Sequence, residues 1–271
     1  MSAEWKVMGV CNATPDSFSD GGLLPTADAA VAHSLGLIEQ GATIIDVGGE
    51  STRPGAEPVD QAEELSRVIP VIEALAAAAP GVQISIDTMK VTVATAALEA
   101  GASYINDVSA FRHEPEMAQL VAEAGCDCCL MHMLGSPQTM QESPQYDDVV
   151  AEVCAFLSAR AEVALAAGVR REQIAVDPGI GFGKTLEHNL DLLANLDVVA
   201  ALGYPVVIGL SRKRFLGDLT GTERPDQRVA ATVAANVLAF ERGASLFRVH
   251  DVRATVDGLK LASATLARDG R

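Results

Sequence analysis

"EQGATIIDVGG", residues 39–49, reads as the end of a helix feeding a strand. Glu39 closes a helical pattern, Gly41 accepts a positive φ without steric cost, and the apolar run 44–47 carries one acid before two glycines. Three further segments repeat the scheme: "EAGASYINDVS" (99–109), "EAGCDCCLMHM" (123–133) and "ERGASLFRVHD" (241–251). Four more runs, 7–12, 83–87, 174–177 and 206–211, have the length and apolar content of strands. Between the eight runs lie segments rich in Ala, Leu and Glu with apolar spacings of three and four. They predict helices over 28–40, 60–79, 89–100, 114–125, 148–168, 187–202, 226–242 and 252–267. Strict β/α alternation implies a parallel sheet of the α/β class. Eight units in 271 residues fit one closed (β/α)8 TIM barrel, a single domain over 1–271. An open doubly wound sheet is the competing arrangement, and its glycine fingerprint is missing.

The stretch "DPGIGFGKT" (177–185) looks at first like a phosphate loop. The P-loop spacing, however, requires glycine at 178, where the chain has Pro178, and the dinucleotide spacing requires glycine at 184, where it has Lys184. The segment is therefore an acid at a strand end followed by a glycine-rich turn.

A formal charge of −16 argues against nucleic acid and anionic membrane surfaces as partners, because both need clustered Lys and Arg. The five cysteines, at 11, 126, 128, 129 and 154, lack zinc-site spacing and read as buried reduced thiols. The opening "MSAEWKVMGV" has no apolar leader core, and no apolar stretch reaches membrane-spanning length. A cytoplasmic protein is the expectation.

In a (β/α)8 barrel the C-terminal strand ends face the active site. Here those ends offer Asn12, Asp46, Asp87, Asn106, His132, Asp177, Ser211 with Lys213, and Arg248 with His250. Taken singly, Asp87 could cap a helix and Asp177 could start a turn; as a ring they imply a polar mouth. Period-two alternation puts Arg248 and His250 on one face, and Ser211 and Lys213 on one face if the strand persists that far. Lys213, Arg248 and His250 then form a cationic cluster on an acidic protein, suited to an anionic ligand. Asp87, Asn106 and Asp177 form the opposite set. They suit either the N–H and carbonyl groups of a heterocycle or general acid–base work. The long loops 14–28 and 49–60 follow the first two strands and read as lids.

Seven ordered stretches resemble the dihydropteroate synthase family: "GVCNATPDSFSDGG" (9–22), "IDVGGESTRPGA" (45–56), "SIDTMK" (85–90), "YINDVS" (104–109), "DPGIGFGKTLEHN" (177–189), "GLSRKRFLG" (209–217) and "FRVHDV" (247–252). The resemblance covers essentially the whole chain. It implies condensation of 6-hydroxymethyl-7,8-dihydropterin pyrophosphate with 4-aminobenzoate to 7,8-dihydropteroate and pyrophosphate. By motif it implies Asp87, Asn106 and Asp177 as pterin ligands, and Lys213 as a contact to both substrates. It implies a diphosphate pocket of Arg248, His250 and Asn12, with Asn12 also a Mg²⁺ ligand. Thr52, Arg53, Pro54, Phe18, Phe182 and Ser211 would surround the aminobenzoate. Asp87, Asp177, Lys213 and Arg248 would carry the chemistry. A homodimer and sensitivity to sulfonamides follow from the same resemblance. Position 214 is Arg where some members carry Ser, and the "GESTRPGA" loop has the ordinary form. A pterin-binding methyltransferase on the same barrel is the nearest alternative, but it needs no diphosphate pocket. A pterin-binding paralogue without turnover is the other.

Overall fold

A computed structural model describes residues 5–13, 26–53 and 55–268. Phe18, Pro54 and most of the 14–28 loop therefore lie outside the described residues. Eight parallel strands close into a barrel in sequential order. They are β1 (Lys6–Asn12), β2 (Ile44–Gly48), β3 (Gln83–Asp87), β4 (Tyr104–Asp107), β5 (Asp127–Met131), β6 (Ile174–Asp177), β7 (Val206–Ile208) and β8 (Ala244–Val249). Around them run α1 (Ala27–Glu39), α2 (Gln61–Ala78), α3 (Val91–Glu99), α4 (Met117–Ala124), α5 (Val149–Ala166), α6 (Leu186–Ala194), α7 (Leu196–Ala200), α8 (Arg214–Thr220), α9 (Val229–Glu241) and α10 (Val252–Leu266).

The repeated glycine does what the repeat requires. Gly41, Gly101, Gly125 and Gly243 all have positive φ, between 64° and 116°, where the chain leaves a helix and turns toward a strand. Period two then sorts the strand residues. Val7, Ile45, Val47, Ile84, Ile86, Ile105, Val176 and Phe247 face outward into the main core beneath the helices. Met8, Ile44, Tyr104, Cys129, Ala175, Val207 and Leu246 face inward and plug the barrel with a separate apolar layer. Two residues further along their strands, Asp46, Asn106, Asp177 and Arg248 occupy the next inward positions, where the apolar plug ends. The register sets Gly48 beside Asp87 and Asp87 beside Asn106.

Three expectations change. The helix expected over 187–202 breaks at Asn195, whose φ of −113° and ψ of 32° end α6 and start α7. Strand β7 stops at Ile208, short of Ser211, because Arg212 takes a left-handed φ of 59° and the chain turns into α8. The short helix α8 has no counterpart among the expected helices. The cysteines are all free thiols, and four of them are buried.

Candidate active site

The mouth is organised by Asp46, which is fully buried. Its Oδ1 accepts the Ser85 hydroxyl at 2.6 Å. Its Oδ2 accepts Arg248 Nε at 2.6 Å and Asn106 Nδ2 at 3.1 Å. The same guanidinium donates Nη2 to Asp87 Oδ2 at 2.7 Å. Arg248 therefore lies between two carboxylates rather than across the opening from Asp87, as its motif led us to expect. The physical reason is local neutrality: two acids at adjacent inward positions need a cation, and a charge in an apolar strand needs a partner. Burial pushes the Asp87 carboxyl up to about 7, against the pull of Arg248. The Arg248 guanidinium is itself desolvated, yet Asp46 and Asp87 hold it more firmly protonated than usual.

Asp177 closes the opposite side of the mouth. Its carboxylate accepts the Gly179 N–H at 2.7 Å, so it does start the turn after β6. Burial raises its pKa, with Lys213 opposing. The turn itself needs glycine. Gly179, Gly181 and Gly183 have φ of 67°, 81° and 64°, and a Cβ at Gly179 would sit 1.8 Å from the His132 carbonyl oxygen. Side chains take the five successive carbonyls of the turn. Lys184 Nζ donates to Gly179 O at 2.9 Å and to Phe182 O at 3.1 Å, and Lys213 Nζ donates to Ile180 O. Gln141 donates to Gly181 O at 2.8 Å, and Tyr146 to Gly183 O at 2.8 Å. This turn presents the Phe182 ring, with Lys213 Nζ 4.6 Å from its centroid. Burial lowers the Lys213 ammonium to about 8, with Asp177 opposing.

The last two strands are tied together at their ends. His250 donates its backbone N–H to Ser211 Oγ at 3.1 Å, and its Nδ1 lies 3.1 Å from the same oxygen. Arg212 clasps Asp251 with two bonds, Nε at 2.9 Å and Nη2 at 2.8 Å. Ser211 and His250 are thus joined at the rim, while Lys213 follows the turn at Arg212 and does not continue the alternation of β7. On the other side, Lys90 Nζ bridges Glu50 and the buried Glu64 and donates to Val59 O at 2.8 Å, pinning both ends of the 49–60 loop. Thr52 is half-buried and Arg53 exposed in that loop, and Gly55 N–H reaches Pro137 O at 3.3 Å.

Three elements of the site escaped sequence reading. Asp46 was seen as a strand-end acid, but its partners were not. A pad of Val108, Met131, Met133 and Met140, with Met89 and Phe182 against it, gives the mouth a polarizable apolar wall. Scattered methionines carry no periodic signal that would have found it. The third, Lys184, stood in plain view inside a failed nucleotide motif. His132 faces Lys184 and stacks edge-on against Phe156, 4.9 Å between centroids, and so is buried behind the turn.

An inward ring of acids, an amide and cations above an apolar plug, lined by methionines and a phenyl ring, defines a barrel enzyme that takes a flat, polar heterocycle. The family model "Pterin binding enzyme" matches residues 8–250, and the chain belongs to that family. Within it the likeness is to dihydropteroate synthases. That of Mycobacterium leprae is 51% identical over 267 residues, covering 96% of this chain and 93% of the relative. The structure of the Xanthomonas albilineans dihydropteroate synthase with 4-aminobenzoic acid superposes with a TM-score of 0.91 at 53% identity, covering 97% of this chain and 94% of that one. The Yersinia pestis dihydropteroate synthase in a sulfonamide drug complex gives a TM-score of 0.94 at 44% identity, covering 98% and 96%.

Proposed function

We propose that this protein is a dihydropteroate synthase. In this reading it joins the methylene carbon of 6-hydroxymethyl-7,8-dihydropterin pyrophosphate to the amine of 4-aminobenzoate. The C–O bond breaks with its electron pair passing to pyrophosphate. The C–N bond forms from the amine lone pair, and the amine releases one proton. The observation that carries the reading is the pairing of acids and an amide (Asp87, Asn106, Asp177) with cations (Arg248, Lys213) in one barrel mouth, on a chain similar to dihydropteroate synthases along nearly its whole length.

Asp87, Asn106 and Asp177 would bind the pterin edge, and the methionine pad would lie against its face. Asp177 and Asp87 would favour cationic character on the methylene as the diphosphate departs; opposite unit charges about 4 Å apart interact by about 4 kcal/mol at an effective dielectric near 20. Arg248, His250 and Asn12 would hold the diphosphate, so Arg248 exchanges Asp87 for phosphate oxygen while Asp46 retains its Nε. Phe182, Ser211, Lys213, Thr52 and Arg53 would flank the aminobenzoate; that this chain takes 4-aminobenzoate at all is supported by the Xanthomonas relative's structure with 4-aminobenzoic acid. The sulfonamide complex of the Yersinia relative supports sulfonamides as inhibitors here.

Mg²⁺ fits as a substrate-borne ion. Among the described residues no group of three His, Cys, Asp or Glu side chains could hold a metal, and Asn12 offers one amide oxygen. That donor set suits Mg²⁺ held mainly by phosphate oxygens and water, with Asn12 completing the shell. When bound, the ion would neutralise charge on the leaving diphosphate. A homodimer through the late helices is supported by exposed Leu238 on α9 and Leu261 on α10. A cytoplasmic location accords with the five free cysteines, four of them buried.

The test is direct. Purified protein is given the pterin pyrophosphate, 4-aminobenzoate and Mg²⁺, and 7,8-dihydropteroate and pyrophosphate are measured. Equimolar formation supports the reading; methyl transfer from a methylated folate instead would replace it with the methyltransferase alternative.

A further inference from the structure

Lys184 is buried, only 3% exposed, and its ammonium makes three contacts. Two are the carbonyls of Gly179 and Phe182, and the third is His132 Nδ1 at 2.9 Å. Burial lowers the Lys184 ammonium to about 7, with Asp177 opposing; in the charged form its three protons match these three contacts, and no carboxylate is among its hydrogen-bond partners. Desolvation, with Lys184 and Arg112 nearby, lowers His132 to about 3, so the ring is neutral and Nδ1 is the acceptor. A buried cation solvated by two carbonyls of one turn is costly to desolvate. An apolar or amide residue would close an ordinary turn at lower cost.

What the cation gains is position. Gly179 donates its N–H to Asp177 and accepts Lys184 through its carbonyl. Phe182 accepts Lys184 and presents its ring to Lys213. The next carbonyl after Gly179, that of Ile180, accepts Lys213. A single ammonium therefore fixes the two ends of the segment whose side chains and amides set Asp177, Phe182 and Lys213. His132 anchors that ammonium to the end of β5, where its own N–H bonds the Asp177 carbonyl at 3.0 Å.

We propose that Lys184, held by His132, is a positioning residue that sets the geometry of the glycine-rich turn and thereby substrate affinity, without touching substrate. The inference rests on the proposed synthase activity for its kinetic test only. Lys184→Met keeps most of the stem volume and removes all three donated bonds; Lys184→Gln keeps an amide donor. For folded K184M, KM for the pterin pyrophosphate should rise about tenfold or more with kcat changed by less than about threefold, and K184Q should fall between K184M and wild type. In the absence of substrate, amide hydrogen exchange at Gly181 and Phe182 should accelerate at least about tenfold in K184M. A lowered melting temperature with KM values and exchange at these amides unchanged would make Lys184 a stability element alone and overturn the proposal. Should K184M fail to fold, K184Q decides by the same readouts. Hydrogen exchange needs no turnover, so it tests the staple separately from the activity of the wild type.

Discussion

Arg248 donates Nη2 to Asp87 Oδ2 at 2.7 Å while its Nε is committed to Asp46. One guanidinium thus serves two acids that otherwise face each other's charge in a dry barrel. Removing it leaves uncompensated buried carboxylate. Arg248→Met is therefore expected to cost about 3–5 kcal/mol of stability near neutral pH, read by urea unfolding, as well as pyrophosphate affinity. A variant that loses pyrophosphate binding yet unfolds like wild type would show the ion pairs to be incidental.

Asp46 is expected to matter nearly as much as the residues it orients. Asp46→Asn keeps the shape but weakens the hold on both Arg248 and Asn106. Turnover should fall by about tenfold or more, equivalent to at least about 1.4 kcal/mol in the barrier. Steady-state kinetics decide this, and unchanged kcat and KM values would confine Asp46 to a packing role.

Asp87 predicts a pH dependence. Its folded pKa is raised from 3.8 to about 7, chiefly by burial. The native state therefore binds more protons than the unfolded chain between these values, and stability contributed by the protonated group is lost as pH rises through about 7. Asp87→Asn should flatten the fall in melting temperature between pH 4 and 7, compared with wild type in the same buffers. Parallel pH profiles for the two proteins would remove Asp87 as the source.

The barrel was legible because its signals are local: Glu-x-Gly before each of four strands, and short apolar runs separated by helical patterns. The ring of polar strand ends was legible for the same reason. What was not legible is who meets whom. Arg248 and Asp46 lie 202 residues apart, and only barrel closure makes them partners. Alternation failed for Lys213 because β7 ends at Ile208, and the left-handed Arg212 that turns the chain is a non-glycine residue with no sequence mark. Lys184 sits in a stretch that resembles a nucleotide loop, and its sequence carries no mark of the burial that gives it another use.

The cluster at the foot of the 49–60 loop makes the last prediction. Lys90 pairs with Glu50 and with Glu64, which is buried and also accepts the Thr88 hydroxyl at 2.7 Å. Thr88 follows Asp87 directly, so one network joins the loop to the Asp87 side of the mouth. Lys90→Met strands Glu64 without its cation and is expected to cost about 3–5 kcal/mol; pairing it with Glu64→Gln should restore most of that loss, since the buried charge goes with its partner. In the double variant the loop is released from Val59 O and Glu50, so KM for 4-aminobenzoate should stay raised while KM for the pterin substrate returns toward wild type. Both constants returning together would mean that the network supports the fold and leaves the loop unaffected.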